Sequence, residues 1–404
     1  MNKSILHLDL DTFFVSVERL LHNELFKKLV LVGGTGSRGV VAACSYEARG
    51  FGVRSGMSMQ MAKQLCPEAV VIRGNASTYM KYSTLVTDII RDTVPLFEKT
   101  SVDEFYVDLT GMDRFFGNYK FAIELRKRII KESGLPISFG LSQNKIVSKV
   151  ATGEAKPNNQ LKIDYGYEKD FLAPLAIRKI PMIGKASAQT LIHMGIDRVK
   201  LIQEMPVEML VNVLGKNGHT IWNRANGIDN CPVIPYSERK SISSERTFNL
   251  DTIDVQKLRD TITAMVETLS YQLRLGNKMT GGVAIKIRYS DFQTYNKQIR
   301  IPYTSADHIL LPAVMELFNK LYERRILVRL IGVKFSHLVG GHYQINLFDD
   351  NEKTLNLYKS LDKIRNRFGA GSVVKASTLD VKSVVSGRNP FDGEPPVLLA
   401  HRNQ

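Results

Sequence analysis

Two acidic segments carry the strongest chemical signal in this chain. Ser4-Ile-Leu-His-Leu-Asp-Leu-Asp11 alternates apolar and polar residues, so Leu6, Leu8 and Leu10 share one face of a strand and His7, Asp9 and Asp11 the other. Further on, Thr100-Ser-Val-Asp-Glu-Phe-Tyr-Val-Asp-Leu109 sets Asp103 beside Glu104. A carboxylate on a buried strand face loses heavily on desolvation unless a cation meets it. Neighbours on a regular strand point to opposite faces, so Asp103 and Glu104 share a site only if Asp103 lies in a tight turn and Glu104 begins the outgoing strand. Three carboxylates at one sheet edge make a hard oxygen donor set suited to Mg²⁺, which keeps part of its shell of water and substrate phosphate. Two such ions, roughly 4 Å apart, stabilise the attacking and leaving oxygens of an in-line displacement. Taken alone, Asp103-Glu104 is more simply a pair of solvated acids at a turn.

Phosphate contacts come next. Ser45-Tyr-Glu-Ala-Arg-Gly-Phe-Gly-Val-Arg-Ser-Gly56 gathers a tyrosine, two arginines and three glycines. Arginine forks match phosphate oxygens bidentately, and tyrosine adds a neutral donor. Gly33-Gly-Thr-Gly36 lacks the Lys-Ser/Thr ending of a Walker loop, which disfavours P-loop chemistry. Lys156, in Glu154-Ala-Lys-Pro-Asn158, is a third cationic candidate.

The elements that must position these groups can be read along the chain. After the first strand, Thr12 to Leu25 has helical spacing, and Leu29–Val32 and Val40–Ser45 read as short strands. Tyr79 to Val94 reads as a helix ended by Pro95, and strand signal runs from Glu98 to Leu109 around a break at Ser101–Glu104. Tyr119–Ser133 and Asn144–Thr152 are helical around the strand Ile137–Leu141. Interleaved elements of this kind predict a mixed catalytic domain over about the first 165 residues. From Ala173 to Gly227 short helices replace strands. Cys231-Pro-Val-Ile-Pro235 and the polar residues after it read as a linker. A second, smaller αβ domain follows, with strands at Val283–Tyr289, Lys297–Ile301 and Leu330–Leu338.

With 404 residues the chain is expected to hold several domains. Its 55 Lys and Arg against 40 Asp and Glu give a net charge of +15, which predicts a polyanionic partner through counterion release. No apolar run reaches the roughly 20 residues of a membrane helix, and there is no signal-peptide layout, so a cytoplasmic protein is expected. Cys44, Cys66 and Cys231 lack CxxC spacing, which argues against structural zinc or a disulfide framework.

Asp9-Leu-Asp-Thr-Phe-Phe14, Tyr46-Glu-Ala-Arg49, Ser101-Val-Asp-Glu104 and Ala155-Lys-Pro-Asn158 resemble, in the same order, the motifs of Y-family (translesion) DNA polymerases, nearest their polymerase IV branch. The resemblance runs from the N-terminus to about residue 340. It implies an α+β multidomain right-hand polymerase. The palm would span residues 1–11 and 77–165, the fingers 12–76, and a thumb with a helix-hairpin-helix 166–232. A linker would cover 233–243, a little-finger αβ domain 244–340, and a clamp-binding peptide and tail 341–404.

The implied activity is template-directed addition of dNTPs to a primer 3′ end, with low fidelity, in translesion synthesis and repair. The implied cofactor is two Mg²⁺ ions held by Asp9, Asp103 and Glu104, with the backbone carbonyl of Leu10. Phe14 resembles the steric gate that excludes a ribose 2′-hydroxyl, with Phe13 packed nearby. Tyr46, Arg49 and Lys156 resemble the triphosphate clamp, and Arg38 would lie near the nascent pair. Asp11 is not expected to be a ligand. Three positions depart from the pattern: Ala43 replaces a hydroxyl residue near the phosphates, Asn159 a glycine after Lys-Pro-Asn, and Met182 a glycine of the hairpin.

Ile180 to Ile196 resembles the helix-hairpin-helix, whose Gly184 and Lys185 would approach DNA phosphates without reading sequence. From Arg274 to Lys334 there are eleven Lys or Arg against four Asp or Glu, and Arg288, Lys297 and Arg300 fall in strands expected to lie along the DNA backbone. Gln344-Ile-Asn-Leu-Phe348 resembles a sliding-clamp peptide, with Gln344, Leu347 and Phe348 as anchors. The expected partners are therefore primer-template DNA, dNTP and the clamp, with a monomeric, nucleoid-associated protein and no membrane. Two other classes compete with this reading: a non-catalytic, clamp-associated DNA-binding repair factor, and a metal-dependent nuclease.

Overall fold

The computed structural model describes residues 3–112, 117–341, 351–379 and 381. The chain divides after Ser237 into two compact units.

The first unit is organised by a five-stranded sheet in the order Phe97–Lys99, Glu104–Asp108, Ile5–Leu10, Ile137–Ser142, Gln160–Lys162. All pairings are antiparallel except the last. Alternation along Ile5–Leu10 decides what each face does. Leu6, Leu8 and Leu10 enter the main core, with Val86 and Ile90 of the helix Ala76–Thr93 and Leu125 and Ile129 of the helix Asn118–Ser133. The opposite face takes the helix Lys145–Ala155. It can approach because Gly140, paired with His7, has no side chain; a Cβ there would stand 2.2 Å from the Ser148 carbonyl oxygen. His7 is buried beneath this helix and bonds Thr152 at 2.8 Å, while desolvation holds its imidazole well below its usual range, so it is a neutral core histidine.

Two smaller bodies complete this unit. The three-stranded sheet Val41–Cys44, Val30–Gly33, Val70–Ile72 forms its own core with the helices Tyr46–Gly50 and Met59–Leu65; Cys44 and Cys66 belong to that core, and all three cysteines are free. A cluster of short helices from Glu168–Leu172 to Asn217–Ala225 packs around Leu172, Leu191, Ile202 and Ile221. In its turn before the helix Lys185–His193 the left-handed backbone falls on Met182, with φ +74, and not on Gly184, with φ −71.

The second unit is a four-stranded antiparallel sheet in the order Thr294–Thr304, Lys278–Tyr289, Val328–Gly340, Ser241–Thr252, covered on one face by the helices Val255–Leu275 and Asp307–Leu321. The strand Ser241–Thr252 overlaps the expected linker only at residues 241–243. Its polar sequence hides a strand whose inward side chains include Ile242 and Phe248. A further helix, Asn351–Phe368, docks on the same unit. Arg274, nearly buried, bonds Asp307 at 2.6 Å and Asp362 of that helix at 2.6 and 3.1 Å, and the Tyr271 hydroxyl donates to Asn366 at 2.6 Å. Among the described residues no helix is long and apolar enough to cross a membrane.

Candidate active site

The acids meet where the central strand ends. Asp9 pairs across the sheet with Glu104, the first residue of its strand, and with Ser138 on the other side. Asp103 occupies the turn just before that strand. Ser101 builds the turn: its Oγ accepts the N–H of Asp103 at 3.1 Å and of Glu104 at 2.9 Å, and its hydroxyl donates to the Asp103 carboxylate. The Leu10 N–H donates to the Asp103 carbonyl at 3.0 Å, locking strand to turn. The sheet therefore places Asp9, Leu10, Asp103 and Glu104 together at one edge.

Each carboxylate has a partner in the protein, a lysine for Asp9 and for Glu104 and a hydroxyl for Asp103. Lys156 Nζ donates to Asp9 Oδ1 at 2.5 Å, and Lys149 Nζ donates to Glu104 Oε2 at 2.6 Å. Burial pushes the Asp9 carboxyl up to about 7; Lys156 opposes the rise, and Glu104 and Asp103 add to it. Burial likewise raises Asp103, and Ser101 opposes that rise. The side chains do not close into a preformed cage: among the described residues, no three of metal-ligating type converge on one ion position. What they provide is a crowd of hard oxygen donors, short of positive charge and capped by two flexible lysines. That donor set fits divalent cations once the ammonium groups swing away.

Lys149 is a site residue missed in the sequence. Only part of its signal was present: Lys145 and Lys149 are four apart on the helix Lys145–Ala155 and so share a basic face, and what that face meets, Glu98 at 2.7 Å and Glu104 at 2.6 Å, follows from packing on the sheet. Ser138, a polar residue in the apolar strand Ile137–Ser142, was legible in the same way.

Phe13 opens the helix Phe13–Leu21 and is buried, while Phe14 is half-buried. The expected helical run from Thr12 to Leu25 starts one residue later, because Thr12 is left-handed at φ +43, and ends at Leu21, where His22 leaves helical geometry at φ −135 before a single 3-10 turn at Asn23–Leu25. Phe14 stacks on Tyr79 at 4.3 Å and 14°, and the Tyr79 hydroxyl donates to buried Glu18 at 2.5 Å. Tyr79 thus backs the Phe14 ring, a role no sequence pattern disclosed.

Tyr46 is the first residue of its helix, capped by Ser45, whose Oγ accepts the Ala48 N–H at 3.2 Å. The Arg49 guanidinium lies 5.0 Å from the centre of the Tyr46 ring. Tyr46 donates to Asp11 Oδ1 at 3.2 Å; desolvation and that carboxylate push its phenol up, so it keeps its proton. Arg38 sits in the turn between the strands Val30–Gly33 and Val41–Cys44.

The sequence model of the impB/mucB/samB family matches residues 8–153, and that of the same family's C-terminal domain matches 239–347. The DNA polymerase IV of Dehalococcoides mccartyi is 39% identical over 386 residues, covering 95% of this chain and 99% of the relative. The chain belongs to the Y-family DNA polymerases. A second relative, the DNA polymerase IV of Desulfatibacillum aliphaticivorans, is 34% identical over 380 residues, covering 92% of this chain and 96% of its own. Among solved structures, a Y-family DNA polymerase chimera of Dbh and Dpo4 superposes with a TM-score of 0.73 at 24% identity, over 84% of this chain and all of that one. This likeness establishes the fold: α+β, with a separate C-terminal domain.

The residues expected to meet DNA in this Y-family chain are distributed less simply. Gly184 caps the helix Lys185–His193 from an exposed turn. In the second unit Arg288 is paired with Thr294 and Arg300 with Gly282, on the sheet face away from the helices. Lys297 is paired with buried Ile285 and so lies on the helix side, exposed because its strand is at the edge. Gln344, Leu347 and Phe348 lie outside the described residues.

Proposed function

We propose that this Y-family enzyme, a DNA-directed DNA polymerase, extends a primer through the acids Asp9, Asp103 and Glu104, using two Mg²⁺ ions. The observation that carries the reading is the pairing of Asp9 with Glu104 across two strands, with the Asp103 turn locked to Leu10 between them. The three carboxylates and the Leu10 carbonyl would hold the ions, which when bound neutralise the acids and stabilise the attacking and leaving oxygens of phosphoryl transfer. Lys156 is released from Asp9 to meet the triphosphate, beside Tyr46 and Arg49. Lys149, released from Glu104, remains a nearby cation. Phe14, held against Tyr79, excludes the 2′-hydroxyl of a ribonucleotide.

Template and primer are gripped through phosphates by Gly184 and Lys185 and by the outer sheet face bearing Arg288 and Arg300. The palm, fingers, thumb and little finger divide at the boundaries given from the sequence, the last now beginning with the strand Ser241–Thr252. Translesion synthesis, a monomeric state, docking on a sliding clamp through Gln344, Leu347 and Phe348, and a place at the nucleoid complete the reading. Intact acids, each close to a lysine or a locked turn, disfavour a binding protein that has lost its chemistry.

The test is primer extension with Mg²⁺ and dNTPs. Asp103→Ala is expected to abolish extension while primer-template binding stays within about twofold; Mg²⁺-dependent extension persisting in that variant refutes the site.

A further inference from the structure

Asp11 follows the central strand and shares the alternation of Asp9, yet its carboxylate is spent differently. It is 1% exposed. A buried carboxylate needs several donors, and three are supplied. The Tyr46 hydroxyl donates to Oδ1 at 3.2 Å; the Ser138 hydroxyl at 2.8 Å and the Asn158 N–H at 2.6 Å both donate to Oδ2. Lys156 Nζ stands 3.7 Å from Oδ1.

These donors come from three separate elements. Tyr46 opens the helix Tyr46–Gly50, and its ring carries the Arg49 guanidinium. Asn158 closes the turn that begins at Lys156. It is left-handed at φ +46, and Arg126 braces it from a second side at its carbonyl (2.6 Å) and side-chain oxygen (2.7 Å). Ser138 belongs to the neighbouring strand and also accepts the Asn159 N–H at 3.3 Å. One carboxylate therefore joins every group assigned above to the triphosphate.

We propose that Asp11 is a positioning residue for the incoming nucleotide, holding Tyr46, and through its ring Arg49, in register with the Lys156–Asn158 turn as one preformed cradle. The inference rests on the reading of Tyr46, Arg49 and Lys156 as triphosphate contacts. Its weight comes from preorganisation: groups that must converge on one polyphosphate lose affinity steeply when displaced by about 1 Å. Shape and acceptor placement matter more here than charge. In Asp11→Asn the amide oxygen can still accept from Ser138 and Asn158, and the Tyr46 hydroxyl can turn to accept from the amide NH₂. Asp11→Ala offers neither.

Single-nucleotide incorporation by the full chain, with Mg²⁺ and a defined primer-template, tests this. Asp11→Ala is expected to raise the KM for dNTP about tenfold, with the Kd for primer-template unchanged within about twofold, and Asp11→Asn to stay within about threefold of wild type. A merely architectural role predicts instead a joint fall in thermal midpoint, kcat and DNA affinity at unchanged KM. Such a pattern overturns the proposal, as does an Asp11→Asn variant as impaired as Asp11→Ala. If Asp11→Ala does not fold, Ser138→Ala decides, because it removes one donor to the Asp11 carboxylate and touches no group assigned to the triphosphate: a raised KM for dNTP at unchanged primer-template affinity supports the positioning role, and an unchanged KM refutes it. Lys156→Ala separates the two layers. If its KM is normal, the triphosphate reading falls and the proposal with it. If its KM rises while that of Asp11→Ala does not, the Asp11 proposal alone falls.

Discussion

The edge of the five-stranded sheet and the outer face of the four-stranded sheet both carry charge, and they handle it in opposite ways. At the first, few charges are crowded and half-buried, and every one has an assigned partner: Asp9 with Lys156, Glu104 with Lys149, Asp103 with Ser101. At the second, charges are spread over a solvent-facing surface. Arg288 leans on Thr294 at 2.8 Å, and Lys286 meets Glu245, whose side chain crosses the intervening strand because Gly332 leaves room for it. That ion pair is substantially exposed, and such pairs contribute little to stability. The first arrangement works by position and the second by number. Removing one group should therefore be drastic in one region and graded in the other, and salt should matter chiefly in the second.

The sharpest break of this contrast is Asp9→Asn. It keeps size and neighbours but removes the charge that Lys156 meets and for which the proposed metal ions would compete. Extension should fall on the order of 10³-fold or more, with primer-template affinity unchanged; a loss below tenfold would make the edge as tolerant as the face. Next is Arg274→Ala in the second unit. The change leaves the nearly buried Asp307 without its cation and Asp362 with only Arg365, at 3.6 Å, so denaturant unfolding of this unit should show a loss of about 3 kcal/mol. This case shows that the second unit also contains a position-dependent cluster, beneath its tolerant face. Phe14→Ala follows. With the ring gone from its stack on Tyr79, preference for dNTP over rNTP should drop on the order of 100-fold, read as a ratio of kcat/KM values.

How much of this was legible depends on whether the signal was local. Alternation from Ser4 to Asp11 correctly separated core leucines from Asp9, and the demand that Asp103 turn while Glu104 starts a strand is met by Ser101, visible two residues upstream. Partnership was not legible. That Lys149 reaches Glu104, or that Tyr79 backs Phe14, depends on helices packing across a sheet. The strand Ser241–Thr252 escaped because its outward residues are Ser, Glu and Asn and few inward ones are apolar. The helix Asn351–Phe368 had no derivable role because the charges that dock it look like solvated ones in a sequence. The face on which Lys297 lies follows from its register against Ile285, and register is invisible without the neighbouring strand.

That register gives the graded half of the contrast its own test. Arg288→Ala and Arg300→Ala should each weaken primer-template binding about threefold and lower the slope of log K against log salt by about one, uniformly across sequences. Lys297→Ala, on the helix side, should change neither by more than a small fraction. Equal effects from all three would mean that only net charge counts, and the face assignment would lose its meaning.

The smallest effect expected concerns the turn before the helix Lys185–His193. Met182 is held at φ +74, where a side chain costs about 1–2 kcal/mol, and it is 67% exposed, so little packing compensates. Met182→Gly relieves that strain but gives the unfolded chain more freedom, which takes back part of the gain. The net result should be a stabilisation of about 0.5–1 kcal/mol, a rise of about 1–3 °C in thermal midpoint for a unit of this size. Because the backbone path is unchanged, primer-template affinity should stay where it was. A fall in affinity would instead mean that the Met182 side chain itself meets the DNA, making this turn a place where position, and not number, governs the grip.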